Sequence, residues 1–286
     1  MYYVIMDLEW NNAYSRKHNG FFNEIIEIGA VLADDSFRTL DTFSVFIKSQ
    51  LGKKLSSRVK KLTKISNEDL KTGVTFPRAV KELKKWIGER DCVFMSWGNS
   101  DVRTLVENYK FFLGSDTVLI MKKYADLQKY CQDAMGLGSA NQVGLSAAAM
   151  QLGIDVEKYE THRALEDCRL SLKCLRKCQS IYAKGALRDY VMNCDDSFYR
   201  RLAFKVHNIT NIHNPKIDRS VMNCRCETCG EDMLRLSDWK VANQAFRSLF
   251  YCKSCNQLLL CSMRFKETFD GVFVITSLKK VEKQRT

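Results

Sequence analysis

The chain has 286 residues, 45% hydrophobic and 27% charged, an ordinary composition with enough apolar residues for a sizeable core. Two prolines and no low-complexity stretch argue against a long disordered tail, and no apolar run reaches the length of a membrane span. The net charge is +12, uneven along the chain: residues 1–195 carry 29 basic and 24 acidic side chains, the last 91 residues 16 and 9. The second part is therefore the denser in positive charge and the better candidate for holding a polyanion.

Residues 2–9 form an apolar run that ends in Asp7-Leu8-Glu9 and reads as a central buried strand. Because that run has no cationic start and no cleavage site, no signal peptide is expected, and the location expected is cytoplasmic. Twelve cysteines in such a chain point to thiols and metal rather than disulfides. Residues 24–33 and 40–48 are two further strands, and their short polar connection favours an antiparallel meander. The stretch 48–64 holds seven Lys or Arg and reads as a basic loop or short helix. Helical spacing over 76–88 puts Val80, Leu83, Trp86 and Ile87 on one face. Residues 92–97 are a short buried strand. Gly98-Asn99-Ser100-Asp101 looks like a helix start that runs on through Val102, Leu105, Val106 and Tyr109.

Val118–Met121 reads as another strand, Leu127–Met135 as a helix, and Gly144-Leu145 as the opening of a small Ala-rich helix that reaches Leu152. Residues 163–183 form a long amphipathic helix with Leu165, Cys168, Leu172, Leu175 and Ile181 inward. A meander followed by strand–helix alternation makes a mixed α/β layer fold, in the element order of a ribonuclease-H-like domain. The pattern changes near Asn193. The division expected is a first domain over 1–185, a linking region over 186–222 and a cysteine-framed domain over 223–286.

Asp7 and Glu9 stand at i and i+2 of a strand, so both carboxylates leave the same face. Two hard oxygen ligands side by side suit a divalent cation. Asp155-Val156-Glu157 repeats the motif without an apolar strand before it and is set aside. Asp101 alone would be a helix-terminal residue that satisfies amides. A strand ending in Trp97-Gly98, however, brings it to the sheet edge where Asp7 and Glu9 lie. His162 and Asp167 are five positions apart, which fits a histidine just before a helix and an acid in its first turns. His213 and Asp218 repeat that spacing where there is no room for an equivalent helix. Two divalent ions about 3.5–4 Å apart can stabilise both the attacking and the leaving oxygen of an in-line phosphoryl displacement. A histidine near neutral pKa suits removal of a proton from the attacking water.

Five pieces occur in order: Asp7-Leu8-Glu9, Glu24 to Val31 (EIIEIGAV), Ser96 to Asp101 (SWGNSD), Gly144-Leu145 and His162 to Asp167 (HRALED). On these the chain resembles the DEDDh family of 3′→5′ exonucleases over residues 2–178. The Ser96-Trp97-Gly98 approach to Asp101 is similar to the Eri-type branch, whose members act largely on RNA. The resemblance implies that Asp7, Glu9, Asp101 and Asp167 hold two Mg²⁺ or Mn²⁺ ions and that His162 is the general base. It places Leu8, Trp10, Asn11, Trp97 and Asn99 at the terminal nucleotide. Trp10-Asn11 departs from the small or hydroxylated residue common after the Glu, Gln50 and its neighbours lack a frequent proline, and Glu166 replaces a frequent Asp. None of these removes a ligand or the base.

Cys226-x-x-Cys229 and Cys252-x-x-Cys255 are two matched turns separated by 22 residues. Four thiolates so spaced form a closed tetrahedral site for one structural Zn²⁺, a zinc ribbon. Cys224 could replace Cys226 only with worse turn geometry. The remaining cysteines, Cys92, Cys131, Cys168, Cys174, Cys178, Cys194 and Cys261, read as buried thiols. Trp239-Lys240, Phe246-Arg247, Phe250-Tyr251 and Arg264-Phe265-Lys266 interleave aromatic and basic residues, a pattern able to stack bases and neutralise phosphates, with at least half of the aromatics assigned to the ribbon's small core.

The expected activity is metal-dependent 3′→5′ hydrolysis of single-stranded ends, RNA before DNA, to nucleoside 5′-monophosphates. The alternatives are a DNA exonuclease of repair or proofreading type and a non-catalytic adaptor whose ribbon binds nucleic acid or protein. The adaptor is disfavoured because clustering four mutually repelling carboxylates gains a scaffold nothing.

Overall fold

A computed structural model describes residues 1–16, 19–52, 54–137, 142–181 and 187–281, and it divides into two compact units, Met1–Leu202 and Ala203–Thr286. Among the described residues no helix is long and apolar enough to cross a membrane.

The first unit opens with a three-stranded meander, β1 (Tyr2–Ser15), β2 (Gly20–Ala33) and β3 (Thr39–Phe46), all antiparallel neighbours. Three helices follow: α1 (Ser57–Thr63), α2 (Asn67–Thr72) and α3 (Phe76–Ile87). The chain then alternates β4 (Cys92–Ser96), α4 (Ser100–Leu113), β5 (Lys123–Asp126), α5 (Leu127–Ala134), α6 (Leu145–Gln151) and α7 (Ala164–Ile181). It closes with β6 (Val191–Asn193) and α8 (Asp196–Ala203). The sheet order is β3-β2-β1-β4-β5-β6, with β4 and β5 parallel to β1 and β6 antiparallel at the edge. This is a ribonuclease-H-like mixed sheet flanked by helices.

Alternation along β1 divides the core. Val4, Met6 and Leu8 pack with Leu83 of α3 and Val102 and Leu105 of α4. Tyr3 and Ile5 pack on the other face with Leu127 of α5 and Cys168, Leu172 and Leu175 of α7. Asp7 and Glu9 continue the Tyr3–Ile5 series, so they project from the face that α7 covers. A bulge between Glu9 and Trp10 breaks that series just past the second carboxylate.

Three expectations need correction. Val118–Met121 is a turn closed by the Met121 amide on the Val118 carbonyl at 2.9 Å, and Leu119 is 78% exposed. The strand lies further on, where Lys123, Tyr124 and Ala125 pair with Val93, Phe94 and Met95. A run of four apolar residues is too short for periodicity to separate strand from turn. Residues 187–202, expected in the linking region, belong to the first unit: β6 extends the sheet, and Phe198 and Leu202 are buried in its core. Leu165 is only half-buried on α7, while Ala164, Leu170, Cys174 and Cys178 are buried there.

The second unit contains β7 (His207–Ile209), β8 (Leu234–Arg235), β9 (Lys240–Ala242), β10 (Ala245–Cys252), β11 (Gln257–Thr268) and β12 (Gly271–Lys280). Its sheet runs β12-β11-β10-β8, with β7 pairing β11 and β9 pairing β10. The interleaved aromatic and basic residues are strand alternation: Phe246, Phe250 and Phe265 are buried with Cys261 and Met263, while Arg264 and Lys240 point outward to solvent.

Candidate active site and cysteine cluster

Glu9, His162 and Asp167 bring one ligand atom each within 4.8 Å of one another. Glu9 comes from β1. His162 precedes α7 in a left-handed backbone conformation (φ 64°), a region in which histidine is enriched over most residues. Its side chain is exposed, and its amide donates to the Asp167 carboxylate at 3.0 Å, so the acid reaches back and fixes the turn that presents the imidazole. Asp101, in the first turn of α4, accepts the Leu8 amide at 3.0 Å. That contact ties α4 to β1 between Asp7 and Glu9. The Asn99 cap makes no side-chain hydrogen bond.

The carboxylates strain against one another. Burial, then the charges of Asp101, Asp167 and Glu9, push Asp7 well above the ordinary carboxylate range. Burial and the neighbouring Asp167 and Glu27 raise Glu9 to about 8. Asp101 rises to about 7, through burial, against the opposing pull of the Leu8 amide. Asp167 is raised by burial, offset in part by the His162 amide. Four hard oxygen donors with this mutual repulsion fit divalent cations of the Mg²⁺ or Mn²⁺ type, which would relieve it.

Glu27 is absent from the sequence-derived set and organises it. It lies opposite Glu9 in the β1–β2 register and is 1% exposed. Its carboxylate receives Arg163 at 3.0 and 3.3 Å and the Ala164 amide at 3.3 Å, so it anchors the N-terminus of α7. Gly29, the register partner of Asp7, permits the approach: a Cβ there would lie 2.3 Å from the Ala164 carbonyl carbon. The sequence did carry a signal, since a charged residue inside the apolar run of β2 must find a partner.

The expected substrate-contacting residues divide. Trp10 and Trp97 are half-buried, with the Trp97 indole donating to the Val143 carbonyl at 3.0 Å, and Asn99 is exposed. Leu8 and Asn11 are buried; the Leu8 side chain belongs to the core and Asn11 Oδ1 accepts the Ser56 amide. Their side chains therefore have structural work. Asp155 caps a single 3₁₀ turn, away from any apolar strand.

In the second unit the Sγ atoms of Cys226, Cys229, Cys252 and Cys255 lie within 4.8 Å of one another. The Cys229 and Thr228 amides draw the Cys226 thiol down to about 6, whereas hydrogen bonding to Cys229 pushes Cys255 up to about 12, so one thiolate forms readily and a metal would have to displace the other protons. Gly230 turns the first pair at φ 75° and Asn256 the second at φ 47°. The chemistry of four thiols so gathered fits Zn²⁺. Cys224 takes no part: its Sγ lies 2.9 Å from that of buried Cys261. Cys194 is half-buried rather than buried.

The sequence profile of the exonuclease family (RNase_T) matches residues 4–175, more than half of the chain. The chain belongs to the exonuclease family. The enzyme is accordingly a nuclease, a hydrolase. It is 28% identical over 184 residues to the probable 3′-5′ exonuclease KapD of Bacillus subtilis (strain 168), covering 60% of this chain and 82% of that one. Among solved structures it resembles cell-death related nuclease 4 (TM-score 0.54, 17% identity), over 63% of this chain and 64% of that one. It also resembles the nuclease domain of 3′hExo bound to rAMP (TM-score 0.53, 21% identity), over 63% and 92%. A third likeness is to a 3′-exonuclease recognising a histone mRNA stem-loop (TM-score 0.55, 19% identity), over 68% and 91%. At these identities the structures support the fold.

Proposed function

We propose that this enzyme removes nucleotides from the 3′ end of single-stranded RNA, releasing nucleoside 5′-monophosphates. The observation that carries the reading is the convergence of Glu9, Asp167 and the exposed His162 within 4.8 Å, beside Asp7 and close enough to Asp101 for all four carboxylates to repel one another. Asp7, Glu9, Asp101 and Asp167 would hold two divalent cations, which when bound supply charge stabilisation at the attacking and leaving oxygens. The imidazole of His162 takes the proton of the attacking water, and its exposure lets that proton pass to solvent. The Asp167 carboxylate holds the turn that aims the ring, and Glu27 holds the helix that carries Asp167. Asn99 is exposed, and Trp10 and Trp97 keep part of their rings exposed although they pack on the core and the Trp97 indole is held by Val143; these are the side chains assigned to the terminal nucleotide. RNA is preferred because the relatives 3′hExo and the histone mRNA 3′-exonuclease are described with rAMP and mRNA. Cys226, Cys229, Cys252 and Cys255 hold one structural Zn²⁺ in the second unit.

The test is a time course on 5′-labelled single-stranded RNA and DNA of one sequence, with Mg²⁺, Mn²⁺ or neither. A metal-dependent ladder that shortens from the 3′ end, faster on RNA, is the expected result. A faster DNA ladder would move the substrate to DNA. No cleavage of either by folded, zinc-loaded protein would end the reading.

A further inference from the structure

The open face of the sheet in the second unit plays no part in the chemistry above, and its composition is one-sided. Register and alternation place Lys240, Arg247, Ser262 and Ser277 in one cross-strand row on that face, Arg264 and Ile275 in the next, and Lys266 with Phe273 and Asn208 in a third. Lys279 lies in the row of Leu249 and Leu260. None of the residues in these rows is acidic. Two carboxylates of this unit are engaged elsewhere: Glu267 meets Lys216 and His207, and Asp232 meets Arg225. None of Lys240, Arg247, Arg264, Lys266 and Lys279 forms an ion pair with a described residue.

The cations are also regularly spaced. Arg247, Arg264 and Lys266 occupy three successive rows, roughly 6.8 Å apart at two residues of strand rise each. Beside them on β12 stand Ile275 and Phe273, 51% and 57% exposed. The Nε of half-buried Arg247 is itself buried and has no acceptor among the described residues, so only the outer end of its guanidinium is offered to a ligand. An electropositive track flanked by an exposed aromatic ring suits a single nucleic-acid strand, whose phosphates take the cations while a base stacks on the ring.

We infer that this face binds single-stranded nucleic acid, with Arg247, Arg264 and Lys266 on successive phosphates and Phe273 under a base. The choice of ligand rests on the nuclease reading.

Binding of labelled oligo(U) and oligo(dT) by the full chain carrying Asp7→Ala, which keeps the strand intact, tests the inference across a salt series. Single strands lose about 0.7 in the slope of log K against log salt for each phosphate contact. Arg264→Ala/Lys266→Ala should therefore flatten the slope by about 1.4 and weaken binding about tenfold or more at low salt. Arg264→Lys/Lys266→Arg should keep the slope, and Phe273→Ala should weaken binding without changing it. Circular dichroism and zinc content should stay at the Asp7→Ala values in each case. An unchanged slope in the alanine pair, with fold and zinc intact, overturns the inference, as does a flattening that the charge-preserving pair shares. Cleavage by the Asp7-containing chain is scored separately. Cleavage with an unchanged slope overturns this face alone, and a flattened slope without cleavage overturns the nuclease reading alone.

Discussion

Glu27 shows how a single buried carboxylate can matter through the element it holds. It stands opposite Glu9, accepts Arg163 and the Ala164 amide, and so fixes where α7 begins. Removing one partner of a buried pair costs about 3–5 kcal/mol, and Arg163 is partly exposed, so Glu27→Ala should cost about 3 kcal/mol. A denaturant midpoint within error of the parent would contradict that placement. His162→Ala belongs to a different class. The ring is exposed, so stability should hold while kcat falls about 10²–10⁴-fold, the usual contribution of a positioned general base. Asp7→Ala and Asp167→Ala should abolish cleavage and leave a folded protein, as circular dichroism and a product assay would report; residual activity within about tenfold of the parent is incompatible with their roles.

The same residues predict a pH dependence. Glu9 at about 8 and Asp101 at about 7 hold protons in the folded chain that an unfolded chain releases near pH 4. The folded state therefore binds more protons between those limits, and stability must fall as pH rises through that window. In buffer free of Mg²⁺ and Mn²⁺, Tm should decline from pH 6 to pH 8. Adding Mg²⁺ should raise it more at pH 8, where the carboxylates can ionise around the cation, than at pH 6. A metal-induced shift that is equal at both pH values would place the cation elsewhere.

At the scale of elements, legibility followed the strength of the pattern. The meander, β4, α3, α5 and α7 were readable because each shows a sustained period or a clear start. The i, i+2 acids of β1 also revealed their shared face. The register of β2 against β1 was not readable, and it is what brings Glu27 opposite Glu9 and Gly29 opposite Asp7. Pairing is a tertiary choice set by packing, and a single sequence does not display it. Val118–Met121 failed for the opposite reason: four apolar residues carry too little periodicity to mean a strand. In the second unit the period-two pattern of β11 was present, but it resembled a mixture of bases and aromatics until the pairing separated the two faces. Gly29 is the sharpest test at this scale. A methyl group there meets backbone atoms at 2.3 Å, which no rotamer change relieves. Gly29→Ala should force α7 away from β2, costing about 3 kcal/mol and reducing cleavage together with stability. A variant that keeps both would show that the helix can shift at no cost.

The whole molecule joins two solutions to the problem of stability. The first unit has two apolar layers on a six-stranded sheet and does not require a metal to gather its core. The second has one small cluster, and Cys226 and Cys252 are members of it, so its core and its candidate zinc site are built from the same side chains. Small modules of that kind draw about 10–16 kcal/mol of apparent binding energy from Zn²⁺, and without it they unfold. Cys226→Ser/Cys252→Ser should then lose the zinc and the β-sheet signal of the second unit while the first unit keeps its own thermal transition. Zinc content measured beside calorimetry would separate the possibilities. Loss of both transitions would mean that the first unit depends on the second. Two intact transitions without zinc would mean that the cysteine cluster is packed well enough to stand as thiols, which the four converging sulfurs argue against.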